Sequence, residues 1–280
     1  MTPLVADGLF VLTSTTYLVT TLLFGAVLLG RGENVKAVAP RLLLVATLLH
    51  ATHIVVASFV WRVCPVEGIH FPMSVLSMVV CAVYLVMRSR WRIDVVGAFV
   101  APLALSSLLA SRFVNTAGSL TPSAKVKSAI LPLHVTMNIV GVALFSLAFA
   151  AATLYLVQEN LLKRKQVGGL FQRLPPLDAL DKAEHRFLLA GFPLFTLGIL
   201  TGTLWAHRVE SGSMADVLRA VFGYVTWLLF AAVLFLRAAA GWRGRRAAYG
   251  TIAGYGFAML VLVLYLLRSQ PAQSVALGGP

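Results

Sequence analysis

The sequence has 280 residues, of which 59% are hydrophobic and only 12% are charged, and its mean hydropathy is +0.87. About a quarter of the residues in a soluble domain are charged, so this composition excludes a domain surrounded by water and predicts an integral membrane protein. The formal net charge of +13 does not indicate binding to nucleic acid, because the basic residues lie in short connections between apolar segments, as membrane topology requires.

Eight apolar segments follow one another along the chain, and each predicts a membrane-spanning helix. We therefore expect an all-α, polytopic membrane bundle of about eight transmembrane helices, formed as one domain over 1–268 and followed by a flexible tail at 269–280. The segment 129–158 is longer than a bilayer requires, which predicts a helix that extends beyond the membrane. The predicted spans are 8–30, 40–62, 72–88, 92–111, 129–158, 186–206, 216–239 and 246–268.

The basic residues are distributed unevenly between alternate connections. One set of connections holds 16 of the 23 Lys and Arg residues, and the other set holds 7. Since cytoplasmic connections carry the excess of Lys and Arg, both termini are expected on the outer, periplasmic side of a bacterial inner membrane. The basic inner connections at 159–186 and 237–246 are expected to contact anionic lipids. The arginines of GWRGRRAAY could also bind an anionic ligand such as a propionate, and charge alone does not decide between the two.

A polar pair stands at the start of the fifth apolar segment, in the stretch LHVTMN. His134 and Asn138 are one helical turn apart and share a helix face with Gly141, and Met137 lies beside that face. A neutral imidazole can offer its Nε2 atom to a metal, and Asn138 can hydrogen-bond a ligand or a neighbouring backbone group. The alternative is an interfacial histidine bonded to a lipid headgroup or to a backbone carbonyl. The sequence therefore makes His134 the first candidate ligand.

Two further histidines, His50 and His53, lie near the middle of the second segment. They are three residues apart, so both can point to one side of a helix. Imidazoles at this depth are costly unless they face the bundle interior, so at least one of them is expected to have a partner. These histidines could ligate a metal, serve as axial ligands of haem or relay protons. They could also form hydrogen bonds between helices.

Sequence signatures of common catalytic sites are absent. The sequence has no GxSxG, HExxH or Walker motif, so we do not expect an enzyme with a free-standing catalytic site. Its ten acidic residues are expected almost entirely in connections, which leaves histidines as the titratable residues inside the spans. A bundle that uses histidine in this way suits a haem or another metal better than a proton-driven carrier.

Three motifs in a fixed order connect the second half of the sequence to a known family. They are LDxxxxR at 180–186, GFPxxTLGIxTGxxWA at 191–206 and GWRGRRAA at 241–248. Together with the segment that begins at Leu133, they resemble the cytochrome c assembly family, which includes the CcsA/ResC subunit and the HemX-type proteins. The similarity covers about residues 129–268 and extends weakly upstream.

The resemblance implies a membrane protein that binds haem b and presents it on the outer face for cytochrome c maturation. His134 stands where the family has a histidine that ligates externally held haem, with Asn138 and Met137 beside it. His50 is a candidate for a second haem ligand within the bundle. A ResB-like maturation partner would supply what this chain lacks, so that haem ligation would be assisted rather than performed by this chain alone.

Two departures from the family pattern bear on the branch to which the sequence is most similar. The CcsA subunit has a tryptophan-rich outer segment where this sequence has HRVESGSMADVLRA at 207–220, and Leu236 stands at the position of an intramembrane histidine of the family. The eight-span layout and the missing tryptophan-rich segment look more like the HemX-type branch. They support a second hypothesis, a regulatory or scaffold membrane protein that holds an enzyme of tetrapyrrole biosynthesis, or an assembly partner, without transferring haem itself.

Overall fold

A computed structural model describes residues 3–30, 33–61, 70–91, 94–113, 130–166, 168–206 and 214–268. The described residues form α-helices with one short 3₁₀ turn at Asp94–Val96, and these ranges contain no β-strand. The predicted tail at 269–280 lies outside them. The helices are α1 (Pro3–Leu29), α2 (Glu33–Trp61), α3 (His70–Trp91), α4 (Gly97–Phe113), α5 (Ile130–Lys163), α6 (Leu170–Arg173), α7 (Leu177–Ala206), α8 (Met214–Ala239) and α9 (Arg245–Arg268).

Each of the eight long helices overlaps one of the eight predicted apolar segments, and the short helix α6 lies in the connection between two of them. Within the described ranges, five helices, namely α1, α2, α5, α7 and α8, are long and apolar enough to cross a membrane. Two shorter apolar helices occupy Met73–Arg88 and Gly97–Arg112. The prediction of an all-α, polytopic membrane bundle is thereby confirmed. The placement of both termini on the outer side stays a prediction.

Large apolar side chains cover much of the outer surface of the bundle. Phe59 is 76% exposed on α2 and Phe235 is 69% exposed on α8, and leucines are exposed along α1 and α7 as well. A soluble helix has an apolar stripe on one face and polar residues on the other. These helices instead have apolar residues on both faces, which is the pattern expected for helices surrounded by lipid.

The long helices form two groups of four in which neighbours in sequence pack together. In the first group α1 contacts α2 and α4, while α3 contacts α2 and α4. In the second group α7 lies against α5 and α8, while α9 lies against α8 and α5. Contacts between α3 and α5 join the groups, so α5 lies at the centre of the molecule. The largest fully buried side chains come from both groups and include Tyr17, Tyr84, Phe145, Phe187 and Phe230.

Small residues allow α5 and α7 to pack closely along their length. A Cβ atom added at Gly191 would lie 2.9 Å from the Phe145 ring, and one added at Gly141 would lie 3.1 Å from Phe195. Close approach through glycine is a common way for membrane helices to associate, because lipid offers no hydrophobic driving force between them. The α5–α7 interface therefore fixes the position of every side chain that projects into it from α5.

Candidate functional site

His134 lies in the first turns of α5 and projects into the α5–α7 interface. Its ring is half-buried, and its Nδ1 atom is 2.7 Å from the carbonyl oxygen of Gly198 on α7. A carbonyl oxygen can only accept a hydrogen bond, so Nδ1 carries the proton and donates it. The neutral tautomer with a free lone pair on Nε2 is therefore the one that this contact selects.

The Nε2 atom of His134 is available to a ligand. It makes no hydrogen bond with a described residue, and the buried unpartnered atoms of the described chain include none on His134. Nε2 thus reaches accessible space. An imidazole whose second nitrogen donates to a backbone carbonyl is the usual arrangement of a metal-ligating histidine, because the hydrogen bond fixes the ring and raises the basicity of the ligand nitrogen.

Two glycines of α7 make room for the polar pair on α5. A Cβ atom at Gly202 would lie 2.4 Å from Cε1 of His134, and one at Gly198 would lie 2.6 Å from the carboxamide of Asn138. These glycines are four residues apart, as are His134 and Asn138, so each polar side chain on α5 packs against one glycine of α7. The GILTG sequence of α7 is thus matched in register to the HVTMN sequence of α5.

The amide of Asn138 supports the backbone of the same helix. Its Nδ2 atom donates to the carbonyl oxygen of His134 at 2.8 Å. Nδ2 also lies 3.1 Å from Nδ1 of His134, but both nitrogens are donors in the tautomer that Gly198 selects, so no hydrogen bond joins them. Met137 is half-buried beside the pair. Ligand-binding roles for Asn138 and Met137 stay predictions.

His50 is placed very differently from His134. It is fully buried among α1, α2 and α3, its Nδ1 atom is 3.2 Å from the hydroxyl of Tyr17, and its Nε2 atom is 2.7 Å from Oγ of Ser74. The structure does not bring the two histidines together, since His134 belongs to the α5–α7 interface. Both nitrogens of His50 are engaged in hydrogen bonds between helices, so ligation of iron by His50 stays a prediction that requires one bond to break.

His53 is also buried, at 7% exposure. Its ring centroid is 6.4 Å from that of His50 and 5.7 Å from that of Phe10. The Nδ1 atom has no hydrogen-bond partner among the described residues. The two histidines of α2 therefore do share one side of their helix, as their spacing predicts.

A second polar cluster, at the opposite end of α7, was not anticipated. The expectation that acidic residues lie almost entirely in connections is wrong for Asp181 and Glu184, which are buried inside α7. Asp181 pairs with Arg237 of α8, and Glu184 accepts a hydrogen bond from Thr251 of α9. The two carboxylates are one turn apart, and that spacing inside the LDxxxxR motif was the available signal.

A cleft of about 370 Å³ lies between α4 and α5 and is lined mainly by apolar side chains, with Ser106 and Ser146 as its polar groups. Ser146 is twelve residues beyond His134 on α5, or about 18 Å along a helix. The cleft therefore does not belong to the His134 site. The segments 114–129 and 207–213, which adjoin that site in the sequence, lie outside the described residues.

Comparison with known proteins identifies the group to which this arrangement belongs. The family described as Cytochrome C assembly protein matches residues 9–272. The cytochrome c biogenesis protein CcsA of Gloeobacter violaceus (strain ATCC 29082 / PCC 7421) is 29% identical over 290 residues, which cover 84% of this chain and 82% of that protein. CcsA of Heterosigma akashiwo (strain NIES-293 / 8280G21-1) is 27% identical over 240 residues, which cover 72% of each chain.

A relative with a different name is similar to the same extent. Protein HemX of Bacillus subtilis (strain 168) is 28% identical over 207 residues, which cover 73% of this chain and 74% of that protein. CcsA and HemX proteins thus resemble this sequence about equally. The match over nearly the whole length establishes that the chain belongs to the cytochrome c assembly protein family.

Proposed function

We propose that this protein binds haem b in the course of cytochrome c biogenesis, with Nε2 of His134 as an axial ligand to the iron. The observation that carries the proposal is the hydrogen bonding of the two ring nitrogens of His134. Nδ1 is held by the Gly198 carbonyl at 2.7 Å, and Nε2 makes no hydrogen bond with a described residue and is not among the buried unpartnered atoms. The family membership agrees with it, since the matching relatives include CcsA proteins of cytochrome c biogenesis.

The residues around His134 are suited to this role. Haem would supply an iron that accepts a neutral nitrogen donor, and Nε2 of His134 would be that donor. The Gly198 carbonyl keeps the proton of His134 on Nδ1, so Nε2 needs no deprotonation before it binds. Gly202 leaves space for the ring, and Asn138 holds the helical backbone at His134 through the 2.8 Å bond to its carbonyl oxygen.

The proposed setting follows from the membrane topology. We place His134 at the outer face of a bacterial inner membrane, where a cytochrome c maturation partner of the ResB-like kind would meet it. The exposed basic residues at the opposite end of the bundle, such as Arg164, Lys165 and Arg243, would then contact anionic lipids on the cytoplasmic side. The chain binds and positions haem, and any ligation of haem to the cytochrome is assisted by the partner.

Absorption spectroscopy of the full-length protein tests the proposal. Protein purified from haem-replete cells is expected to show a Soret band that is lost in His134→Ala. His185→Ala is the matched control, because His185 is a half-exposed histidine at the other end of the α7 helix and should leave the band intact. A colourless wild-type protein would count against haem binding, and an unchanged band in His134→Ala would rule out His134 as the ligand.

The similarity to HemX supports a second candidate function. We propose as the alternative a regulatory or scaffold protein of tetrapyrrole biosynthesis that holds an enzyme or an assembly partner through its basic inner connections. Arg243, Arg245 and Arg246 are all exposed there. Under this alternative, replacement of these three arginines by alanine should abolish the cellular phenotype while His134→Ala leaves it intact. The haem-binding proposal expects the opposite pattern.

A further inference from the structure

Three buried charged side chains hold the inner ends of α7, α8 and α9 together. The side chains of Asp181 on α7 and Arg237 on α8 are 12% and 7% exposed, and Glu184 on α7 is fully buried. Two carboxylates and one guanidinium are therefore buried in an apolar bundle, and Asp181 is the observed partner of Arg237. Ionisable residues in such surroundings are costly, so they usually have a function in addition to packing.

Each carboxylate is anchored through one of its two oxygens, Asp181 to the residue that precedes α9 and Glu184 to α9 itself. Oδ1 of Asp181 accepts a hydrogen bond from the backbone N–H of Gly244 at 2.8 Å. Oε1 of Glu184 accepts one from the hydroxyl of Thr251 at 2.6 Å. The second oxygens differ, because Oδ2 of Asp181 lies 2.5 Å from Nη2 of Arg237 whereas Oε2 of Glu184 is buried without a hydrogen-bond partner among the described residues.

Like Oε2 of Glu184, the Nη1 atom of Arg237 is buried without a hydrogen-bond partner among the described residues. The other terminal nitrogen, Nη2, donates to Asp181, both to Oδ2 and to the backbone oxygen at 3.1 Å. Asp181 and Glu184 are three residues apart and lie on one face of α7.

From this arrangement we infer that Arg237 has two alternative docking positions on α7, with Asp181 as the observed partner and Glu184 as the second. In either position both carboxylates keep their hydrogen bonds to Gly244 and Thr251. In both states one carboxylate of α7 pairs with Arg237 of α8. The two states differ in which carboxylate it is, so the point on α7 to which α8 is joined moves by one helical turn. Packed helices exchange between discrete arrangements of this type, including steps of one turn, rather than deforming continuously.

The exchange would reach the outer half of the same helices. α8 is also bonded to α7 through Trp227 and Thr196 at 2.9 Å and through Tyr224 and Thr203 at 2.6 Å. Gly198 and Gly202, on another face of the same stretch of α7, contact His134. A change in how α8 is attached at the inner end is therefore a means of altering the packing beside the His134 site.

A double-mutant cycle tests the inference without any ligand. The variants are Asp181→Asn, Glu184→Gln and both together, and the measurement is the midpoint of thermal unfolding of the full chain in detergent. If Arg237 can use Glu184, each single change should lower the midpoint slightly, because one carboxylate remains for the guanidinium. The double variant should lose far more than the sum, since Arg237 is then buried without a charged partner.

Asp178→Asn provides the matched control. Asp178 is three residues from Asp181 on its other side but is exposed and paired with Lys182, so its effect should add to that of Asp181→Asn. A double variant that fails to fold while both single variants fold also supports the inference. It is overturned if Asp181→Asn alone fails to fold, or if the effects of Asp181→Asn and Glu184→Gln are additive. Both readings are independent of whether the protein binds haem.

Discussion

Gly202 lies so close to His134 that a Cβ atom at this position would be 2.4 Å from Cε1 and 2.6 Å from Nδ1 of the imidazole. The contact joins the inner surface of α7 to the proposed ligand on α5. Because the ring rests against backbone, the hydrogen bond from Nδ1 to the Gly198 carbonyl forms without displacement of either helix. The orientation of His134 is therefore set by two glycines of α7, through close packing at Gly202 and through the hydrogen bond to the Gly198 carbonyl.

Substitution of Gly202 by alanine should disturb the His134 site without removing any functional group. The added methyl must displace the imidazole or separate the helices, and overpacking of this kind costs about 1–3 kcal/mol. We expect a lower free energy of unfolding and a weaker or shifted Soret band. Gly25→Ala on α1 is the control, because a Cβ there meets nothing within 4 Å. Equal behaviour of the two variants would show that the close contact has no consequence.

Removal of the His134 side chain should create a site that free imidazole can fill. In His134→Gly the proposed iron ligand is absent, but Gly198 and Gly202 still leave the space that the ring occupied. We expect the Soret band to be lost in this variant and restored by imidazole added during purification. Recovery by imidazole but not by pyrrole would separate a ligand role from a purely structural one, because both rings fill the cavity but only imidazole has a nitrogen lone pair for iron. A band that stays lost at every imidazole concentration would contradict the assignment.

His50→Phe distinguishes a structural histidine from a second iron ligand. The change removes both of the hydrogen bonds of His50 and takes one partner from each of the hydroxyls of Tyr17 and Ser74. A hydrogen bond contributes about 0.5–1.5 kcal/mol to stability, so we expect a clear loss of stability. If His50 only joins helices, the spectrum of the haem-bound protein should be unchanged. A change in axial ligation that follows His50→Phe would instead establish a ligand role.

The helices were predictable because a transmembrane helix depends on local properties. Length and hydropathy over about 20 residues are enough to indicate it, and each apolar segment corresponds to one long helix. The start of α7 at Leu177, ahead of the predicted 186, shows where that reasoning fails. Asp181 and Glu184 are tolerated inside this helix because Arg237 of α8, Gly244 just before α9 and Thr251 of α9 are their partners.

The candidate site was predictable only in part, because the tautomer and the hydrogen-bond partners of a histidine depend on residues far away in the chain. The helical spacing of His134 and Asn138 follows from sequence alone. The tautomer of His134 depends on a carbonyl 64 residues away, and the engagement of both nitrogens of His50 depends on Tyr17 and Ser74. The sequence ranked His134 first and left His50 as a second candidate. Of their two Nε2 atoms, only that of His50 has a hydrogen-bond partner among the described residues.

The last prediction concerns the difference between Arg237 and Arg243, two arginines on the side of the bundle that is predicted to be cytoplasmic. Arg237 is buried and pairs with Asp181, whereas Arg243 is exposed in the connection that follows. Replacement of Arg237 by methionine keeps most of the side-chain volume but leaves Asp181 as a buried charge, which costs about 3–5 kcal/mol. Arg243→Met should change stability by no more than about 0.5 kcal/mol, as is usual for surface substitutions. The free energy of unfolding in detergent measures both effects. The positive-inside rule alone predicts that the two arginines are equivalent. A similar loss of stability in both variants would therefore contradict a structural role for the Asp181–Arg237 pair.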